Sequence, residues 1–574
     1  MRIIGINNEM LISSACLIED GKIIAAAAEE RFTRQKHTRA FPQKSIEYCL
    51  KEANITMKDV DYVANSWNPA IYFQKFDPIH SGKRRHLVEQ LYSVPDNIMH
   101  FYNRPKSDYV YQEICGEFGK SKIYYIPHHR AHAANGFFLS EFDSAAILTA
   151  DAQGEFESTT FCHGKENNIE LIKSINYPHS LGALYSTFTE YLGFRPNSDE
   201  WKVMAMASYV KGDNKFYKLM KENIIKFFPQ GGFELDLSFF NGFVSEQPNL
   251  FSEKLVELFG PPRKEGSVID DRHYLVAAAL QKISEHAASH LLNYLYDITK
   301  EKNLVLSGGF FMNSVFNGKV LELTPFENVF VSSCPDDSGN CFGAALYLYN
   351  DILEQPRGSP MKHNYYGPRY SSEQIKKAIE GYNLNFEYKE NIMDVCTSAA
   401  KFLADGKIVG WFQGRMEFGQ RSLGNRSILA DPRREEVKNK VNMAVKFREK
   451  FRPFAPAILK ERQQDYFEMS SDTDVPFMEK VYPIKKSKQS EIPAVVHING
   501  TGRIQTVNKE TNLLFHSLIS EFEKETGTPI VLNTSFNLNG EPVVCSPKDA
   551  IRTFYSCGLD TLIMENFIVY KGEK

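Results

Sequence analysis

Alternation of apolar and polar positions at the start of the chain predicts three strands, Arg2–Asn7, 13–18 and Lys22–Ala28, the last two joined by the tight turn Glu19-Asp20-Gly21. Residues 42–53 read as a helix opened by Pro42, and 61–65 as a further strand. Ala133, Ala134 and Phe137 continue a helical pattern begun at Pro127, and the apolar run 145–150 reads as a buried strand that ends in Asp151. Leu275, Ala279, Ile283 and Ala287 recur at helical spacing within 272–298, which predicts a long helix packed on a core. Short strands at 303–306 and 329–332 follow, and Gly343-Ala344-Ala345-Leu346 opens another helix. Pro356, Gly358, Pro360 and Gly367 mark 353–367 as a linker. A second unit then predicts a helix at 394–405, a strand at 407–412 and a helix at Leu513–Thr526.

Composition narrows the class. At 574 residues the chain exceeds what one core supports, so two or more domains are expected. Apolar residues at 43% and charged residues at 24% are ordinary for a globular enzyme, and a net charge of -4 offers no global basic field for nucleic acid or an anionic membrane. The 9 cysteines include no CxxC pair, which fits reduced thiols. No run approaches the roughly 18 uncharged apolar residues of a membrane span, and the N-terminus lacks an export pattern. A cytoplasmic enzyme is the expectation.

His128 and His132 stand four apart, so on a helix both imidazoles share one face, and Asp151 closes the following strand. Two nitrogens and a carboxylate suit a first-row transition metal better than Mg or Ca, although such a pair also packs or caps in many proteins. Asp337 lies at a strand end beside glycine, as Asp151 does, and is the candidate fourth ligand. Gly308-Gly309 after a strand permits close backbone approach to a ligand, which Asn313 would contact. The charged run Glu29 to His37 reads as a solvated face. In the second unit, Arg421, Lys446, Arg452 and Arg503 recur beside turn glycines and prolines, a pattern that suits phosphate or carboxylate oxygens.

Ten segments in order, EERFTRQKH, HHRAHAA, SLGALY, DEWKVMAMA, GGFFMN, PDDSG, GRMEFGQRSLGNRSI, VKFREKFRPFAP, HINGTGRIQTV and LNTSFN, give the whole chain a resemblance to the NodU/CmcH/TobZ family of O-carbamoyltransferases. The resemblance implies an α/β protein of two domains: an actin/sugar-kinase/Hsp70 (ASKHA)-like domain at 1–352 for carbamoyl transfer, and, after the linker 353–367, a YrdC-like domain at 368–574. It implies that carbamoyl phosphate and ATP form carbamoyl-adenylate in the second domain, with Mg2+ accompanying ATP. An acceptor hydroxyl on a sugar, antibiotic or other small molecule would then take the carbamoyl group in the first. His128, His132, Asp151 and Asp337 match the family's ligands for iron(II) or another divalent transition metal. Lys36 and Asn313 match contacts to adenylate or acceptor. Arg421, Lys446, Arg452, Arg503 and Asn533 match the groups that bind ATP and carbamoyl phosphate. Asp151, Lys36 and Arg421 are the implied catalytic residues, and a homodimer is the implied assembly.

Three departures bear on the chemistry. The family's His-Asp in the first hairpin is Leu11-Ile12 here, so the acceptor base would be another group, Glu9 or Asp151. The Gly-Pro-Arg-Ala-Leu-Gly pattern is Gly-Gln-Arg-Ser-Leu-Gly, and Asp-Gly-x-Gly-Glu is Asp-Ala-Gln-Gly-Glu. Two alternatives stand beside the leading reading: a nucleic-acid modifier acting on a hydroxylated base such as a hydroxymethylpyrimidine, and a non-enzymatic nucleotide-binding relative. Acceptor choice is expected to lie in residues 68–120 and 210–270.

Overall fold

The computed structural model describes residues 1–8, 12–68, 109–116, 119–212, 214–243, 248–446 and 452–571. The chain forms two compact units, one of 1–26 and 39–361, the other of 27–38 and 362–574. The division thus falls at 361/362 within the expected linker, and residues 27–38, placed by sequence in the first domain, group with the second.

The first unit holds two sheets. Strands β1 (Arg2–Asn7), β2 (Ser14–Glu19), β3 (Lys22–Ala28), β4 (Tyr62–Asn65), β5 (Val110–Gly116) and β6 (Gly119–Tyr125) form one, in the order β3-β2-β1-β4-β6-β5. Strands β7 (Ser144–Ala150), β8 (Glu157–Lys165) and β9 (Asn168–Asn176) begin the other. A separate hairpin, β10 (Ile225–Phe228) and β11 (Gly232–Leu235), precedes β12 (Asn303–Ser307) and β13 (Asn328–Val331), which complete the order β13-β12-β7-β8-β9. Read from β9, the second sheet repeats the first: a three-strand meander whose first strand pairs in parallel with a later strand, β1 with β4 and β7 with β12. A following strand adds in parallel at the edge of each, β6 and β13. This internal duplication is the ASKHA-type arrangement. The amphipathic helix Asp271–Thr299 buries Val276, Leu280, Ile283, Ala287 and Leu291 against the core, as its periodicity predicts.

The second unit is built on one eight-stranded mixed sheet. Its strands are β14 (Phe386–Tyr388), β15 (Val409–Phe412), β16 (Arg426–Ala430), β17 (Ala455–Leu459), β20 (Gln505–Val507), β21 (Ile530–Ser535), β22 (Thr561–Met564) and β23 (Phe567–Tyr570); β18 (Tyr482–Pro483) and β19 (Thr501–Gly502) pair apart from it. Alternate residues feed opposite faces: Phe412, Ile428 and Ile458 enter one core, while Trp411, Leu429 and Ala457 enter the other. Both faces are therefore covered, which explains the near-continuous apolar strands.

The run Glu29 to His37 corrects the expectation of a solvated face. Glu29, Glu30 and Arg31 are buried. The Arg31 guanidinium donates to Gly419 O at 2.8 Å, and that of Arg34 to Val543 O and Pro542 O, each at 2.7 Å. Backbone carbonyls of the second unit supply the acceptors, and periodicity along the run carries no trace of them. Among the described residues no helix is long and apolar enough to cross a membrane.

Candidate functional site

In the first unit, β7 and β13 flank β12, so the chain leaving their C-terminal ends delivers Asp151 and, a few residues on, Asp337 to one side of the sheet. The helix His128–Phe137 packs on β7 and β12 and presents His128 and His132 there. Asp151 Oδ2 lies 3.2 Å from His128 Nε2 and 2.9 Å from His132 Nε2; the two nitrogens are 3.1 Å apart, and Asp337 Oδ1 is 3.4 Å from each. All four side chains are buried, and one ligating atom from each lies within 4.8 Å of the others. Donors about 2.0–2.2 Å from a shared ion stand about 3.0–3.5 Å from one another, so the spacing fits a single divalent cation. Asp337 Oδ1 also has no hydrogen-bond partner among the described residues, an orphaned buried oxygen that such an ion would satisfy.

Burial alone would lower the His128 pKa, but the adjacent carboxylates of Asp151 and Asp337 outweigh it and raise the value to about 10. Burial would likewise raise Asp151, yet His128 and His132 hold it well below the usual carboxylate range. The two imidazoles and two carboxylates pair with one another, and binding a metal would require the imidazoles to release protons. His129, between the ligands, is different: it bonds Thr149 Oγ1 at 2.6 Å and Glu157 O at 3.0 Å, and burial keeps it neutral.

Two neighbours of the cluster explain local sequence. Gly308, at φ 103°, follows β12, and a Cβ there would collide with Ala150 O; one on Gly309 would stand 2.9 Å from Asp151 Oδ1. The paired glycines let this turn press against the Asp151 end of β7. Buried Glu155 accepts the N–H of His128, 3.0 and 3.1 Å from its two oxygens, and that of Asn68 at 2.7 Å, which anchors the first turn of the histidine helix.

In the second unit, the turn that carries Arg421 folds around a buried carboxylate. Glu417 Oε1 accepts N–H groups from Leu423, Asn425 and Arg426 at 2.7, 2.7 and 3.1 Å. Three more segments tie to it: Gln505 Nε2 donates to Leu423 O at 2.9 Å, Asn533 Nδ2 to Ser422 O at 3.2 Å and to Gln505 Oε1 at 2.8 Å, and Tyr365 OH to Leu423 O at 2.9 Å. Arg421, Asn533 and Arg503, two residues before Gln505, are thereby gathered. Buried Arg452 leads into β17, which pairs with the Asn533 strand. His497 is held at about 3, by burial first and then by the charges of Arg503 and Lys438. That field marks a cationic neighbourhood suited to polyanions.

The remaining expected residues fall less centrally. Lys36 is exposed and groups with the second unit, whereas Asn313 is buried in the first. The Asn313 amide exchanges hydrogen bonds with Gln281 at 2.9 and 3.1 Å and caps the turn Ser314–Asn317. Lys446 ends the turn Asn442–Lys446, and its side chain lies outside the described residues, as do Glu9, Leu11 and residues 69–108 of the expected acceptor region. Glu417, Glu155, His497 and Lys438 were not singled out by the sequence; a Glu four residues before Arg421 in a glycine-rich turn was the one available signal for Glu417.

Two family models match the chain, described as Carbamoyltransferase N-terminus over residues 2–346 and Carbamoyltransferase C-terminus over residues 400–571. The Uncharacterized protein sll1178 of Synechocystis is 36% identical, over 99% of this chain and 96% of its own length. Nodulation protein NolNO of Sinorhizobium fredii is 35% identical, over 98% of this chain and 80% of its own. The 3'-hydroxymethylcephem-O-carbamoyltransferase of Amycolatopsis lactamdurans is 32% identical, over 46% of this chain and 47% of its own.

Proposed function

The chain belongs to the carbamoyltransferase family, and from that premise we propose that it is an ATP-dependent O-carbamoyltransferase working in two half-reactions. In the second unit, carbamoyl phosphate is hydrolysed to carbamate and phosphate. A carbamate oxygen then attacks the α-phosphate of ATP, the bond to the β,γ-pyrophosphate breaks, and carbamoyl-adenylate forms. Arg421, Lys446, Arg452 and Arg503 neutralise two polyanions that would otherwise repel each other, and Asn533 keeps the Arg421 turn in place. Mg2+ accompanies ATP.

In the first unit an acceptor hydroxyl oxygen attacks the carbamoyl carbon, its proton passes to a base, and AMP leaves. His128, His132, Asp151 and Asp337 would hold the divalent cation, which supplies charge neutralisation for the adenylate phosphate. Asp151, as a ligand of that cation, would be a poor proton acceptor. A neighbouring side chain such as Glu9 is then the candidate base in place of the family's histidine at position 11. Lys36 and Asn313 are the proposed contacts to adenylate and acceptor. The acceptor named for the Amycolatopsis relative supports a small-molecule hydroxyl as substrate.

The observation that carries this reading is the buried two-His, two-Asp cluster in a chain whose other unit folds an arginine turn round Glu417. The test is to incubate the protein with carbamoyl phosphate, ATP and Mg2+ and to follow pyrophosphate and adenylate by chromatography. Pyrophosphate release that requires carbamoyl phosphate and is lost in Arg421→Ala is the expected result. Folded, metal-loaded protein that releases no pyrophosphate even with a panel of hydroxyl acceptors would overturn it.

A further inference from the structure

Gln505 opens β20 and Asn533 stands on β21, with β17 between them in the sheet of the second unit. Asn533 pairs opposite Ala455 and Gln505 opposite Ala457, and residues two apart on a strand share a face, so both amides project from the same side. The alanine methyls leave room for the two side chains to meet above β17, where Asn533 Nδ2 donates to Gln505 Oε1 at 2.8 Å. Both residues are buried.

Main-chain carbonyls fix which way each amide points. A carbonyl oxygen only accepts, so the Gln505 end 2.9 Å from Leu423 O is Nε2, and Oε1 is left for Asn533. The Asn533 end 3.2 Å from Ser422 O is likewise Nδ2. Its two N–H groups are then both engaged, one by Ser422 O and one by Gln505 Oε1, while Asn533 Oδ1 has no hydrogen-bond partner among the described residues. A buried carbonyl oxygen in that state calls for a donor.

Ser422 follows Arg421 directly, and Arg421, Lys446, Arg452 and Arg503, the groups proposed to hold the polyanions, carry side-chain donors alone. They suit phosphate oxygens but cannot accept the N–H groups of a carbamoyl group, where acetyl phosphate has a methyl. We propose that Gln505 is a positioning residue that holds the Asn533 amide with its oxygen toward the carbamoyl N–H, and that this contact selects carbamoyl phosphate over acetyl phosphate.

The inference rests on the proposed carbamoyl-adenylate half-reaction, and the experiment separates the two. Pyrophosphate release by the full-length protein is measured against carbamoyl phosphate and against ATP, with acetyl phosphate as competing ligand, for wild type, Gln505→Met and Asn533→Ala. In wild type the acetyl phosphate Ki is expected to exceed the carbamoyl phosphate KM at least about tenfold. Gln505→Met, which keeps the side chain's length but not its hydrogen bonds, should raise the carbamoyl phosphate KM about tenfold and leave the acetyl phosphate Ki and the ATP KM within about twofold. Asn533→Ala should lower the same selectivity at least as far. Equal rises for carbamoyl and acetyl phosphate in both variants overturn the inference, because that pattern belongs to a loosened Arg421 turn. So does a wild type that fails to discriminate between the two, or a rise confined to ATP, which would assign the oxygen to the adenine amino group. Wild-type protein that releases no pyrophosphate with carbamoyl phosphate overturns the half-reaction and the inference together.

Discussion

Replacing Glu417 with glutamine removes one charge from the middle of the Arg421 turn and changes little else. The carboxylate is 3% exposed, and Oε1 alone accepts three backbone N–H groups, at 2.7, 2.7 and 3.1 Å. A glutamine carbonyl can keep those bonds but makes them neutral. Bonds to a charged group contribute about 1.5–3 kcal/mol and neutral ones about 0.5–1.5, so the exchange costs about 1 kcal/mol per bond and about 3 kcal/mol in total. Glu417 is also the leading counter-charge of Arg426, whose guanidinium is fully buried over the Phe412 ring and donates to four carbonyls. Its loss leaves that cation less compensated, which adds to the cost. The protein's tryptophans separate the units: Trp411 is buried in the second, whereas Trp67 and Trp201 belong to the first. Urea unfolding followed by Trp411 fluorescence in a chain lacking the other two tryptophans should show Glu417→Gln losing about 3 kcal/mol. The KM for carbamoyl phosphate should rise as the Arg421 turn loosens. A stability loss below about 1 kcal/mol, with an unchanged KM, would refute the assignment of Glu417 as the centre of that turn.

The remaining predictions concern titration and close contact. His497 is held at about 3, below the ordinary histidine value of 6.5, so its contribution to stability is complete above pH 6.5 and is lost as pH falls toward 3. Between neutral pH and pH 5 this group should cost the second unit about 2 kcal/mol. His497→Gln should flatten that slope, and parallel pH profiles for variant and wild type would rule the effect out. Gly309→Ala places a methyl 2.9 Å from Asp151 Oδ1 and should weaken metal binding about tenfold with little change in melting temperature. An unchanged dissociation constant would show that the glycine is needed only for the turn.

The four metal-ligand candidates were legible because each rests on a local rule. A spacing of four sets His128 and His132 on one helical face, and a carboxylate after a buried strand end is a recurrent place for a site. The strands Arg2–Asn7 and Lys22–Ala28 and the helix Leu513–Thr526 follow their periodicity to the residue. Asn313 shows what such rules leave out: the residue type and its place after a glycine pair are local, but the Gln281 amide that orients its side chain comes from a helix distant in sequence.

The sequence by itself determined many of the elements, the expectation of more than one unit and which groups are candidates to bind metal and polyanion, because periodicity, turn chemistry and residue type are local properties. Only the tertiary structure decided that residues 27–38 go with the second unit, that Glu417 is the pivot of the Arg421 turn, and that Gln505 meets Asn533 across β17. Those outcomes depend on which carbonyls, amides and carboxylates meet across segments far apart in the chain, and a buried polar group's role is set by the partners that folding brings to it.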